Sequence, residues 1–239
     1  MLDSPTQETF IYLTNKEALK QLEKQRNELT NVCYGLGLGS IAAGFFNSLW
    51  LGVGITFLAA SLARLQKVSQ IYFSMRRLLD AFESRGVLIT PQIDVPDNGS
   101  LDLFVRFPNP PKVNFAIGLR SNGGSTVYYN EAKENLYRRN KSGGLKPWQV
   151  DLFQRIGLQE FWLRKNRQVL FGQSSKDKNR VVSKVLVLTG ETKLGKHPEH
   201  LYTTIGDQKV VVVKKRVSVQ IMEESQLIPF IEAWLAQSQ

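Results

Sequence analysis

The run VCYGLGLGSIAAGFFNSLWLGVGITFLAASLA, residues 32–63, contains no charged side chain, and no other feature limits the architecture as much. A helix rises about 1.5 Å per residue, and an upright membrane span takes roughly 20 apolar residues. The run is too long for one such span and too short for two. Asn47 and Ser48 fall near its middle and offer a turn. That leaves two arms of about 15 residues, each about 22 Å long. Lys16, Lys20, Lys24 and Arg26 precede the run, and Arg64, Lys67, Arg76 and Arg77 follow it. Positive charge tends to stay on the cytoplasmic side of a bilayer. Two equally basic flanks therefore fit a hairpin with both ends cytoplasmic better than a single crossing. Gly35, Gly37, Gly39, Gly44, Gly52 and Gly54 would let two helices approach closely in lipid. The alternative is a hairpin buried in a soluble core, but such a pair would carry a polar stripe, and the run has none. The expectation is a membrane hairpin.

The remainder of the chain is ordinary in composition. It has 239 residues, of which 42% are hydrophobic, a content that fits neither a disordered chain nor a polytopic transporter. The net charge of +10 favours anionic partners, either nucleic acid or an anionic membrane surface. With one cysteine, Cys33, there is neither an intrachain disulfide nor a cysteine-based zinc cluster. Residues 1–30 are polar and charged, unlike a secretory signal. Gly37, Gly39 and Ala42 fit the G-x-G-x-x-A dinucleotide pattern, but that motif needs a preceding strand and a βαβ unit. Here helical sequence lies on both sides.

Three segments follow from these spacings: a charged N-terminal helix over 1–31, the apolar hairpin over 32–65, and an α/β domain over 66–239. Ser4, Pro5 and Gln7 open the first helix as a capping box with proline in its first turn, and it continues to about Leu29. Beyond the hairpin, Val68, Ile71, Tyr72, Met75, Leu78, Leu79 and Phe82 recur at helical spacing, and Gly86 can close that helix. From Val87 the period changes to two. VLITPQIDV, LDLFVRF, VNFAIGLR and TVYY read as strands, with Asp97-Asn98-Gly99 as a hairpin turn. A helix is expected from Trp148 to Asn166. VVSKVLVL, HLYTTI and KVVVVKKRVSVQI read as further strands, and SQLIPFIEAWLAQ as a last helix. The fold class is therefore α/β, a mixed sheet flanked by helices behind an N-terminal helix and an apolar hairpin.

Over residues 68–236 this arrangement resembles the restriction-endonuclease-like superfamily with its PD-(D/E)xK signature, and more closely the nuclease-related NERD domain. LLDAFESRGVLI looks like the opening helix and first strand, and GSLDLFVRF like the second strand, with Asp102 at the metal-ligating position. The third strand should read approximately FVIEVKS; here it reads FAIGLRS, with Gly118 and Arg120 where the family carries Glu and Lys. SNGG and Pro147-Trp148-Gln149 also look like the NERD pattern. The resemblance implies a restriction-endonuclease-like sheet and, for an active member, Mg-dependent phosphodiester hydrolysis. That chemistry needs two acids on the metal and a lysine to steady charge. Glycine cannot ligate, and the Arg120 guanidinium suits phosphate binding rather than proton transfer. Glu131-Ala132-Lys133 has the E-x-K spacing, but it reads as a solvated hairpin turn a strand away from Asp102. Asp102, Gly118 and Arg120 thus look like relics of a cutting site.

Other signals are thinner. Gly190 to Lys196 nearly spells a P-loop, but His197 stands where Ser or Thr would hold magnesium, and Pro198 denies the helix. His197 and His200 form H-x-x-H without enough ligands for zinc. Between Arg138 and Arg180 basic residues outnumber acidic ones, with Tyr137, Trp148 and Trp162 interleaved. Such a surface can track a phosphate backbone or rest on anionic lipid. The reading is a membrane-associated protein with a degenerate nuclease-like cleft lined by Arg120, Lys146, Gln149 and Arg155, binding nucleic acid or a membrane-protein partner rather than cutting. An active Mg-dependent nuclease with a relocated acid and an inert membrane scaffold are the alternatives.

Overall fold

The structure, a computed structural model, describes residues 13–44, 48–140, 143–148, 151–214 and 217–238. Two long helices lead the chain, α1 over Asn15–Gly44 and α2 over Ser48–Phe82. The start expected at Ser4, Pro5 and Gln7 lies outside the described residues. The described helix begins instead at a reciprocal cap, in which the Glu17 carboxylate accepts the Thr14 N–H at 2.8 Å and Thr14 Oγ1 accepts the Glu17 N–H at 3.4 Å. α1 continues past Leu29 to Gly44 without a break, and α2 runs unbroken through residues 65 and 66. The boundaries drawn at 31/32 and 65/66 therefore fall inside helices. α2 ends in a 3-10 turn, Glu83–Arg85, closed by Gly86 at φ +72, a left-handed position that glycine takes without strain.

Seven strands form the main sheet: β1 (Leu88–Val95), β2 (Gly99–Phe107), β3 (Val113–Arg120), β7 (Val182–Leu188), β9 (Tyr202–Ile205), β10 (Gln208–Lys214) and β11 (Ser218–Glu223). Their order is β1-β2-β3-β7-β11-β10-β9. The first three make an antiparallel meander, β7 is parallel to β3, β11 is parallel to β7, and β10 and β9 are antiparallel additions. The segment expected as one strand over 209–221 is two, because β10 turns back on itself as β11. A second sheet, in the order β6-β5-β4-β8, combines β4 (Thr126–Asn130), β5 (Asn135–Arg139), β6 (Leu145–Pro147) and β8 (Lys193–Leu194). Helix α3 (Leu152–Asn166) lies in the crossover from β3 to β7, followed by the single turn α4 (Ser175–Lys178), and α5 (Leu227–Gln237) closes the described chain. The α/β class with a mixed sheet flanked by helices is what the chain adopts.

Alternation along the strands builds two cores. Leu103, Val105, Phe115 and Ile117 pack beneath α1, α2 and α5, while Phe104, Ala116, Leu186 and Ile221 pack beneath α3 and the small sheet. The near half of the leading helix pair belongs to the first core. Ala18, Leu22, Met75 and Leu78 are fully buried there. The far half is not covered: Tyr34 and Leu38 are each 71% exposed, Phe57 62% and Ile55 53%. The two apolar arms do lie on successive helices that pack along each other. Among the described residues, however, no helix is long and apolar enough to cross a membrane, so the expected membrane hairpin gains no support as a spanning element.

Candidate functional site

Asp102 sits where the first two strands change faces. Ile89 and Leu103 point towards α2, whereas Ile93 and Leu101, in line with them, point towards α3. Gln92, at φ +49, marks the switch on the facing strand. The Asp102 carboxylate, 1% exposed, replaces a ladder contact at this point. Its Oδ2 accepts the backbone N–H of Leu119 at 2.6 Å.

Two cations converge on the same oxygen. Arg120 Nη1 lies 2.6 Å away and Lys67 Nζ 2.7 Å away, and each also donates to the Leu119 carbonyl at 2.7 Å. Asp102 Oδ1 is buried and has no hydrogen-bond partner. A third cation, Arg155, arrives from α3. That helix is capped by Asp151, whose Oδ1 accepts the N–H groups of Phe153 and Gln154. It grips the β1–β2 turn through the Asn98 carbonyl, which accepts from Arg155 Nε at 2.6 Å and Gln159 Nε2 at 2.9 Å. Gly99, at φ +61, is a left-handed position that suits glycine, and a Cβ there would meet the Arg155 guanidinium at 1.7 Å, so a side chain would have to displace Arg155.

These groups line a cleft of about 380 Å³ between α2 and α3, at the end of β2 and β3. Gln66 and Gln70 from α2, with Ser100 and Ser121, add neutral donors around its wall. Gln66 Nε2 reaches Ser121 Oγ at 3.4 Å. Burial is the main cause that pushes the Lys67 pKa below its usual value, with Arg120 and Arg155 adding to it and Asp102 opposing it. Arg155 is lowered likewise, first by burial and then by Arg120. Three cations face one carboxylate, so the cleft carries an excess positive charge that an anion would relieve.

The cleft does not suit the divalent metal that the nuclease resemblance implies. Asp102 Oδ2 already receives three donors, and its two ion pairs compete with any metal for the same oxygen. Gly118 offers no ligand. A side chain there would start among Leu186 and Ile156, whose methyl carbons lie 3.7 and 3.8 Å from the Cβ position. Among the described residues no three His, Cys, Asp or Glu side chains are grouped to hold a metal. Glu131 is remote from this arrangement, on the exposed β4–β5 turn beside His200 at 2.9 Å.

Of the sequence-derived site residues, Asp102, Arg120 and Arg155 meet at the cleft and Gly118 lies beside them on β3. Lys146 does not join them, because it stands exposed on β6 of the small sheet. Gln149 lies outside the described residues. Sequence reasoning counted Lys67 only as flanking charge, yet a signal was present. Lys67 lies four residues before Ile71 and so extends the buried stripe of α2, where an ammonium needs an acidic partner. Part of the basic stretch from 138 to 180 is structural, while Lys146, Lys165 and Lys176 stand exposed. Arg164 donates to the carbonyls of Lys178 and Arg180 and pairs with Glu160, and Arg138 donates to Asn122 Oδ1. The two histidines serve separate partners, His197 Nε2 accepting the Tyr129 N–H at 2.8 Å. No protein-family model, curated protein or solved structure matches the chain.

Proposed function

We propose that this chain is a membrane-associated binding protein whose nuclease-like cleft holds a phosphate-bearing ligand without cutting it. One observation carries the reading: the acid that would bind a catalytic metal is instead tied down by Lys67 and Arg120, with Arg155 beside them and no second acid. Guanidinium forks and a lysine ammonium, partly shielded from water, are the groups that recognise phosphate oxygens. The relationship to restriction-endonuclease-like nucleases is part of the proposal. It is supported by the β1–β2–β3 meander, the α3 crossover and the parallel β7, which bring Asp102 and Arg120 together at the sheet end. Membrane association is supported by the exposed apolar side chains of the far helix pair and by the absence of charge from Val32 to Ala63. Arms of about 22 Å reach only part of the way through a hydrocarbon core of about 30 Å. A hairpin that enters one leaflet from the basic side agrees with described helices that do not span.

The test uses the full chain in detergent, since α1 contributes Ala18 and Leu22 to the core. Single- and double-stranded DNA and RNA are incubated with magnesium or manganese, and binding is followed in the same samples by salt titration. Absence of cleavage is the expected result, with any binding through phosphate weakened steeply by salt. Metal-dependent cleavage that disappears in Asp102→Asn would replace this reading with an active nuclease. Neither binding of any phosphate ligand nor cleavage would leave an inert scaffold.

A further inference from the structure

The cleft and the charge-free hairpin share a border. Ala63, the last residue of the charge-free run, is itself part of the cleft wall. Lys67 follows one helical turn later, about 6 Å along α2. If the far helix pair enters lipid up to the end of its charge-free length, Arg64 lies at the headgroup level and the mouth of the cleft opens there. Large apolar side chains left in water on that pair, Leu38, Ile55 and Phe57 among them, supply the drive for entry.

Its donors are only partly used. Lys67 Nζ gives two of its three N–H groups to Asp102 and the Leu119 carbonyl. Arg155 is held through Nε, which leaves its terminal nitrogens for a ligand. Gln66, Gln70, Ser100 and Ser121 can bond the ester or hydroxyl oxygens beside a phosphate. A cluster of this kind, fixed by a capped helix and an ion-paired strand, differs from a smear of surface lysines. Asp102, Lys67, Arg120 and Arg155 are held by these bonds before any ligand arrives.

We infer that the cleft binds the phosphate of an anionic lipid headgroup in the same bilayer that the hairpin enters. This inference rests on the reading of the chain as membrane-associated and non-hydrolytic, and it identifies the ligand of that site. The lipid is the occupant favoured over a nucleic-acid strand because the cleft is continuous with the apolar segment through Ala63, and because Arg138 and Arg164, two of the cations a strand would track, are spent on bonds within the protein.

Full-length protein is mixed with phosphatidylcholine vesicles, with or without phosphatidylglycerol, and bound protein is recovered by flotation. Wild type should bind both, with phosphatidylglycerol raising affinity on the order of tenfold or more. Arg155→Gln should lose that gain and still float with neutral vesicles; because it also gives up the bond to the Asn98 carbonyl, its melting temperature should fall and binding is compared well below the transition. Lys24→Gln, exposed on α1 away from the cleft, should lose about fivefold at most, the share of one charge in a diffuse field. In Phe57→Asp, vesicle binding should fall while soluble short-chain phosphatidylglycerol still binds, which separates insertion from headgroup recognition. Equal affinity for neutral and anionic vesicles would overturn the inference and leave membrane association standing. Equal losses in Arg155→Gln and Lys24→Gln would overturn it in favour of a diffuse field. Competition by inorganic phosphate as effective as soluble phosphatidylglycerol would make free phosphate the ligand. Tight oligonucleotide binding with no flotation would remove the membrane reading as well.

Discussion

The two halves of the leading helix pair both carry large apolar side chains, and those side chains meet opposite fates. Near the sheet, Leu22, Ile71 and Met75 are buried, while Lys20, Lys24, Arg76 and Arg77 occupy the outward face and remain exposed. Further out the same helices carry Leu38, Ile55 and Phe57 in the open, with no charged residue on any face. The difference teaches that apolar content alone does not specify a core. A one-sided stripe is matched by a sheet, whereas an all-round apolar surface needs an environment that is apolar on every side. Lys67 stands at the change from one regime to the other, and its ion pair with Asp102 fastens the inner half to the sheet.

The largest effect should come from breaking that fastening. Asp102→Ala leaves Lys67 and Arg120 without their buried partner, and chemical denaturation should register a loss of about 3–5 kcal/mol. The halves themselves are compared by equal truncations. Leu22→Ala should cost about 2–5 kcal/mol, whereas Leu38→Ala, at a 71% exposed site, should stay within about 0.5 kcal/mol. Equal costs at the two sites would mean that the far half is covered by protein.

A titration sharpens the boundary between the halves. The Lys67 ammonium is faced by Asp102 on β2, Arg120 on β3 and Arg155 on α3, and burial first of all holds its pKa below 10.5. A lysine lowered by folding binds fewer protons in the native state, so stability rises with pH between the lowered pKa and 10.5. Anion affinity should fall over that same alkaline window as the ammonium is lost. Opposite slopes for melting temperature and for phosphate binding are the expected outcome. Parallel slopes would place the titrating group elsewhere. The smallest effect is expected at a fully enclosed position. Gly118→Ala adds a methyl group at ordinary contact distance from Leu186 and Ile156, and chemical denaturation should match wild type within about 0.5 kcal/mol. Burial and sensitivity to substitution are then separate properties.

Much of the fold was legible because local periodicity reports local burial. The stripe from Val68 to Phe82, the alternation through β1, β2 and β3, and the turn at Asp97-Asn98-Gly99 all correspond to observed elements. The turn between β10 and β11 is not legible in the sequence, because KVVVVKKRVSVQI is apolar and β-branched on both sides of its basic centre. The small sheet was legible only as one hairpin, since β6 and β8 are two or three residues long, too short for a period to be counted.

The sequence by itself determined which segments are one-sided, which are two-sided, and that an apolar, charge-free arm precedes a basic α/β body. It also determined that the third strand lacks an acid at Gly118, because glycine has no side chain to offer wherever it lies. Only the tertiary structure decided what Asp102 does. Its partners come from residues 67, 119 and 120, and Arg155 joins them from 53 positions further along the chain. A carboxylate's role depends on the charges within a few ångströms of it, and sequence separation does not encode that distance.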